Sequence, residues 1–277
     1  MDFFRRRIIL LIEYLIGYKA YSSYVKPEEI LRMLTEPSLK NRAFRYIENI
    51  TGDLNSPYLI VKLKTCENPL YWPKKFDIRE LYQVISEVFN ERDWHYYEAG
   101  QTIVCDKDIV VDCGASEGAF SIKNYTKSKF TYIVEPIKTF ADSLNKTFEN
   151  AGNVEIINCA LGDGSLKEVG IDENTIFSSV SSNSLERVRS CTIDELFFDK
   201  HITYIKADVE GSEMMLLNGA AKTIAKERPK MAIATYHDAN DWRQMLNFVK
   251  NICPDYKYRI NGIYHMNRKP VLLHMWV

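Results

Sequence analysis

Residues 106–277 predict an α/β fold, a parallel sheet covered by helices on both faces. Three observations lead there. Short apolar runs alternate with amphipathic stretches through this part of the chain, the pattern of successive strand–helix–strand units. One run, Ile109-Val-Val-Asp-Cys113, passes directly into Gly114-Ala-Ser-Glu-Gly118 and Ala-Phe-Ser-Ile122. Strand, glycine turn and helix start are thus contiguous. A second run, Phe130-Thr-Tyr-Ile-Val134, closes on Glu135-Pro136, about 20 residues after the turn, where α/β nucleotide sites carry an acidic side chain.

The elements follow in chain order. Arg5-Arg6-Arg7 precede an apolar run, Ile8 to Ile16, interrupted by Glu13. The run is too short to span a bilayer, and Tyr14 to Tyr24 is a poor match to a small-residue cleavage site. It predicts an amphipathic helix packed on the core or on a partner subunit, with a basic helix on a membrane surface as the alternative. Pro27 to Asn49 reads as one or two helices, broken near Pro37, and Tyr58–Leu63 as a strand. Asp77 and Glu80 form a capping-box pattern ahead of a helix whose apolar face is Leu81, Val84, Ile85, Val88 and Phe89. Tyr71-Trp72 and Trp94-His-Tyr-Tyr97 add aromatic bulk, as core or lid packing or as a surface for stacking on a sugar. Residues 1–105 therefore read as a mainly helical accessory region that carries acceptor specificity, and 106–277 as the ligand-binding domain. In that domain strands are expected near 109–113, 130–134, 154–158, 202–207 and 230–236, with helices near 117–127, 137–150, 212–226 and 239–251. Tyr256–Ile260, a turn at Asn261-Gly262 and Val271–Trp276 predict a closing antiparallel pair. Serine-rich Ser178–Ser184 predicts a mobile loop beside the cleft.

Composition narrows the partners. The chain has 277 residues, 46% hydrophobic and 26% charged, with a formal net charge of -1, as expected of a globular protein with a buried core. Nothing in that balance calls for nucleic acid or an acidic membrane as the main partner. None of the six cysteines makes a C-x-x-C pair, so neither a zinc site nor a redox pair is indicated. Cys113 and Cys159 read as small core residues, and the protein as a reduced, cytoplasmic one.

The chemistry concentrates in two segments. The turn after Val111 reads D-x-G-x-x-x-G rather than the G-x-G-x-x-G of dinucleotide sites. It suits the methionine arm of S-adenosylmethionine rather than a pyrophosphate. Gly114 and Gly118 would let the backbone approach a ligand. Asp112 would hold the cofactor's amino group, Glu135 would accept both ribose hydroxyls, and Pro136 would start the next helix. The second segment is Ile202-Thr-Tyr-Ile-Lys-Ala-Asp-Val-Glu-Gly-Ser-Glu213. Lys206, Asp208 and Glu210 cluster at its strand end, where open α/β sheets bind ligands and where burying three charges without a purpose or partners is costly. A plain Lys206–Asp208 ion pair is the alternative. Glu213 reads as a helix N-terminal acid. His237, at the end of the strand from Lys230, joins the candidate site.

Taken together, Val110–Ser121, Val134–Pro136, Asn158–Asp163, Thr192–Leu196 and Ile205–Glu213 resemble the FkbM family of S-adenosylmethionine-dependent methyltransferases. The resemblance implies a class I methyltransferase fold, a Rossmann-like seven-stranded sheet of order 3-2-1-4-5-7-6. It carries the cofactor site over to Asp112, Gly114, Gly118 and Glu135, with Ala115, Ser116 and Pro136 in the same segments. It puts Ala160 and Leu161 near the adenine. The chain departs from the family at Ser116-Glu117, where Asn or Phe followed by Ile is common. Family members often methylate hydroxyls of sugars, glycolipids and secondary metabolites, so the implied acceptor is a small molecule or glycan.

A sugar hydroxyl is a poor nucleophile and needs a base as attack proceeds. Asp208 or His237 is the candidate, with Lys206 orienting the acceptor or holding Asp208 ionised. In a variant of this reading, Asp208, Glu210 and His237 bind Mg²⁺ or a similar ion that lowers the acceptor's pKa. The rival readings are a non-catalytic scaffold that keeps the cofactor fold, a nicotinamide oxidoreductase, which the glycine spacing disfavours, and an N-methyltransferase. The apolar N-terminal helix, residues 3–16, invites a homodimer or a surface contact.

Overall fold

The structure, a computed structural model, describes residues 3–17, 21–22, 25–171, 187–237, 241–264 and 266–277, with the backbone alone for 3–7. Helix α1 (Phe3–Ile16) packs against α2 (Pro27–Thr35). Leu10, Tyr14, Val25, Ile30 and Ile263 form their small core. Glu13, which interrupts the apolar run, is ion-paired with Arg268. After the short α3 (Leu39–Ala43), strands β1 (Ile47–Thr51), β2 (Tyr58–Leu63) and β3 (Leu70–Pro73) form an antiparallel meander. The accessory region is thus not helical alone, and the end of the expected 27–49 helical stretch is strand. Asp77 caps α4 (Ile78–Phe89), its side chain accepting the Arg79 N–H at 2.8 Å.

Beyond residue 105 the expected alternation is present. Strands β4 (Ile109–Cys113), β5 (Phe130–Val134) and β6 (Val154–Ile157) enclose helices α5 (Ala119–Asn124) and α6 (Lys138–Thr147). The short strands β7 (Ala160–Leu161), β8 (Glu168–Gly170) and β9 (Arg187–Cys191), which the sequence pattern did not announce, form a separate small sheet. There follow α7 (Ile193–Leu196), β10 (Tyr204–Ala207), α8 (Glu213–Asn218), α9 (Ala221–Glu227), β11 (Lys230–Ala234), α10 (Trp242–Ile252), β12 (Lys257–Asn261) and β13 (Leu272–Trp276). The helix expected over 212–226 is two helices, the first ending at its C-cap Gly219. Pro136 does not open α6; Ile137 is the N-cap. The expected 178–184 loop and the start of the 239–251 helix lie outside the described residues.

The main sheet has seven strands in the order β12-β13-β11-β10-β4-β5-β6. Numbered along the chain from β4 and read from the β6 edge, that order is 3-2-1-4-5-7-6. Pairings from β6 through β11 are parallel, while β13 runs antiparallel between β11 and β12. Adjacent residues alternate between two cores, as a pleated strand requires. Val110 belongs to one core, with Ile133, Phe140 and Tyr204. Val111 belongs to the other, with Ile205, Met231 and Leu273. The accessory region is continuous with the first core: Trp72 and Phe76 pack on Phe140, with the Phe76 and Phe140 rings stacked at 4.6 Å. Cys113 and Cys159 are buried core residues.

Candidate active site

Strands β4, β5 and β10 lie side by side and parallel, so their carboxyl ends open together on one cavity. The turn after β4 forms its floor. Gly114 has φ +68°, and a Cβ there would run into the Asp208 carbonyl of the adjoining turn. The missing side chain is what lets the two turns touch. Gly118, at φ +87°, serves a different purpose from the one expected: a Cβ there would strike Leu144 of α6. Gly118 does not line the cavity, and its smallness allows the helix to pack rather than a ligand to approach.

Asp112 also differs from expectation. Its carboxylate is fully buried, lies 3.1 Å from Lys206 Nζ and accepts the Ser121 hydroxyl at 2.7 Å. It forms this buried ion pair beneath the turn and is not among the residues that line the cavity. Lys206 Nζ also donates to the Gly114 carbonyl at 2.7 Å and lies over the Tyr97 ring. Burial works against its charge, but Asp112 and then Asp208 outweigh that and raise its pKa.

Glu135 sits in the cavity wall with both oxygens anchored. One accepts the Ser116 N–H at 2.7 Å, the other the Ile137 N–H at 2.8 Å. Burial pushes its carboxyl up to about 7 despite these donors. Ser116 adopts the left-handed conformation, φ +53°, strained for a residue with a side chain; that bend turns its N–H onto Glu135. Ala115, Ser116, Pro136, Ala160 and Leu161 all line the cavity, as the sequence reading requires. Glu117, which that reading noted only as a departure from the family pattern, lines it too. It is 3% exposed, its Oε1 accepts the Ala119 N–H at 3.2 Å, and its Oε2 has no hydrogen-bond partner among the described residues.

The turn after β10 supplies the opposite wall. Asp208 Oδ2 accepts the Tyr97 hydroxyl at 2.6 Å, and the Tyr236 hydroxyl approaches both oxygens at 3.4 Å. Asp208 is not paired with Lys206; that lysine's ion-pair partner is Asp112. His237 Nε2 lies 3.1 Å from Glu210 and 3.6 Å from Asp208, while Nδ1 lies 2.9 Å from Glu213. Burial disfavours an imidazolium, but the carboxylates prevail and push its pKa up to about 11. A histidine already protonated at neutral pH is not a general base, so this role falls away for His237. Glu213 is fully buried and accepts the Val209 and Gly211 N–H groups, the structural part expected of it. The donor atoms of Asp208, Glu210 and His237 fall within 4.8 Å of one another. Both ring nitrogens of His237 face carboxylates, Nε2 towards Glu210 and Nδ1 towards Glu213.

The sequence pattern does not mark Tyr97 and Tyr236 as site residues, since each reaches Asp208 from far along the chain. Beyond Tyr236 lies a second cavity, lined by Trp94, His95 and Tyr264 among others. The Tyr236 ring packs on His95 and Tyr264, and Glu87 lines both cavities. His95 lies near Glu87 and Asp93, which hold it protonated, up to about 9, against the effect of burial. Burial pushes Glu87 up to about 7.

Against this geometry stand the comparisons. The model of the methyltransferase FkbM domain matches residues 112–260, more than half of the chain. The protein belongs to the FkbM methyltransferase family. Among solved structures, the chain is similar to the methyltransferase FkbM of Methylobacillus flagellatus KT, with 21% identity and a TM-score of 0.48 over 73% of this chain and 56% of that one. It is also similar to an rRNA methylase from Streptococcus thermophilus, at 15% identity and a TM-score of 0.42 over 62% of this chain and 88% of that one. A third is the tRNA (uracil-54, C5)-methyltransferase of Pyrococcus abyssi in complex with S-adenosyl-L-homocysteine, at 11% identity and a TM-score of 0.47 over 80% and 45%. The chain thus spans little more than half the length of the Methylobacillus structure. No curated protein matches the chain.

Proposed function

We propose that the protein is an S-adenosylmethionine-dependent O-methyltransferase acting on a hydroxyl of a sugar, glycan or related metabolite. The observation that carries this is the pairing, across one cavity, of Glu135 with the Asp208 carboxylate. Glu135 has both oxygens fixed by backbone N–H groups, and Asp208 is oriented by Tyr97 and Tyr236. Glu135 retains lone pairs for a ribose diol, and Ala160 with Leu161 offers an apolar wall for a purine. When bound, S-adenosylmethionine supplies a methyl group activated by its sulfonium. Asp208 would accept the acceptor's hydroxyl proton as the acceptor oxygen bonds to the methyl carbon, the carbon–sulfur bond breaking to leave S-adenosylhomocysteine. Tyr97 and Tyr236 hold the carboxylate in one orientation. His237 balances the charge of Glu210 and Glu213, and no step passes through a metal.

We assign residues 1–105 to acceptor binding and 106–277 to the cofactor. The second cavity supports this, since most of its lining comes from residues 1–105, and its Trp94 ring and the pairs of Arg42 with Glu36 and Asp93 suit a polyhydroxylated ligand, with Tyr264 added from the other region. The net charge of -1 favours such an acceptor over a nucleic acid. Among the described residues no helix is long and apolar enough to cross a membrane. The outward Ile12, Leu15 and Ile16 of α1 suit a second copy of the chain or a membrane surface. All six cysteines are unpaired, which fits a cytoplasmic setting.

The test is calorimetric titration with S-adenosylmethionine, followed by a screen of sugar acceptors with Asp208→Asn beside the wild type. Micromolar binding in both proteins, with turnover lowered about 100-fold or more in the variant, is expected. Absence of binding by folded wild-type protein would overturn the reading in favour of a scaffold.

A further inference from the structure

The cavity has a carboxylate that the mechanism above leaves unused. Glu117 is 3% exposed, and Oε1 alone is satisfied, by the Ala119 N–H at 3.2 Å. Its Oε2 is buried with no hydrogen-bond partner among the described residues, and Glu117 is one of the residues that line the cavity. The adjacent Ser116 Oγ is likewise buried and unpartnered. A buried carboxylate oxygen with no donor costs free energy that a bound donor would recover. The groups that could have served it are engaged elsewhere: Lys206 points at Asp112 and the Gly114 carbonyl, and His237 is held by Glu210 and Glu213. The expected anchor for the cofactor's amino group, Asp112, lies beneath the turn and outside the lining. The next acidic residue along the turn, Glu117, is one that does line the cavity.

Resting on the reading that this cavity takes S-adenosylmethionine, we infer that Glu117 is the residue that receives the cofactor's α-ammonium group, with Ser116 Oγ beside it. The unsatisfied Oε2 gains a cationic donor, and the ammonium exchanges water for a charge-assisted hydrogen bond. Glu135 keeps the ribose, so the two carboxylates divide the ligand between its two ends. Glu117 is thus a specificity residue: it rewards ligands with the amino group and is indifferent to those without one.

The experiment titrates wild type and Glu117→Gln with three probes. S-adenosylhomocysteine carries both amine and carboxylate. Its decarboxylated analogue, 5′-(3-aminopropylthio)-5′-deoxyadenosine, keeps the amine alone. 5′-Methylthioadenosine has neither. Gln keeps the size of the side chain and an oxygen for the Ala119 N–H, and thermal unfolding checks that the variant folds. The expected result is binding weakened about 10- to 100-fold for both amine-bearing probes, with 5′-methylthioadenosine unchanged. Equal weakening of all three, or of none, would overturn the assignment, as would a loss confined to S-adenosylhomocysteine, which would point to the carboxylate. If the wild type bound none of the three, the cofactor reading itself would fail, which is a different outcome.

Discussion

Two turns meet at the centre of this molecule, one after β4 and one after β10, and they handle charge in opposite ways. Each follows a parallel strand, and each holds a left-handed residue that is not glycine, Ser116 at φ +53° and Glu210 at φ +51°. In the first, the strand-end carboxylate, Asp112, is buried, paired with Lys206 and removed from the cavity. In the second, the corresponding carboxylate, Asp208, stays in the cavity, and a protonated histidine is set among its neighbours. Similar backbone geometry therefore supports a buried ion pair on one side and a carboxylate that lines the cavity on the other. The position of the cation decides which is which.

The largest effect is expected where the turns touch. Gly114→Ala forces a Cβ against the Asp208 backbone carbonyl, which has no rotamer with which to yield. It should cost about 3 kcal/mol or more and abolish cofactor binding, read by denaturant unfolding and titration. A variant that unfolds normally and binds would separate the two turns. His237→Gln should come next, at about 3 kcal/mol near neutral pH, because it leaves Glu210 and Glu213 without their cation. The sign follows from a folded pKa of about 11 against 6.5 unfolded. The stability that His237 contributes is complete below pH 6.5 and lost as pH rises towards 11. The gap between wild type and variant should close over that interval in denaturant titrations; a gap independent of pH would mean that packing, not charge, holds the second turn. Gly118→Ala should be mildest, about 1–2 kcal/mol, because the obstructing atom is the end of a flexible Leu144 side chain. Its cofactor affinity should stay near that of the wild type, which sharpens the distinction between a glycine that joins two turns and one that admits a helix.

The first turn was the more legible in the sequence, because what shapes it is local. A strand end, two left-handed glycines and an acid at the end of the next strand all fall within residues 109–135, and the alternation of apolar runs supplies the sheet around them. Its details were less legible. That Asp112 would turn away from the cavity depends on Lys206, whose distance along the chain hides the pairing. The second turn announced its charges, Lys206, Asp208 and Glu210, but not their roles. Those roles are set by Tyr97 and Tyr236, which lie 111 and 28 residues from Asp208 in the chain. Nothing in the periodicity of Trp94–Tyr97 separates a hydroxyl that orients a carboxylate from aromatic packing. The small β7–β9 sheet is not legible because strands as short as two or three residues carry no period to read.

The contact between Gly114 and the Asp208 carbonyl has a mechanical meaning. It welds the two turns into one piece, so the floor on which a methyl donor would rest and the wall that would take the acceptor's proton keep a fixed alignment, set when the chain folds and not when ligands arrive. Whatever opens and closes around this site must therefore come from outside the weld. The accessory region, which lines the cavity through Val84, Glu87, Val88 and Tyr97, is where the moving parts of such an enzyme would have to be.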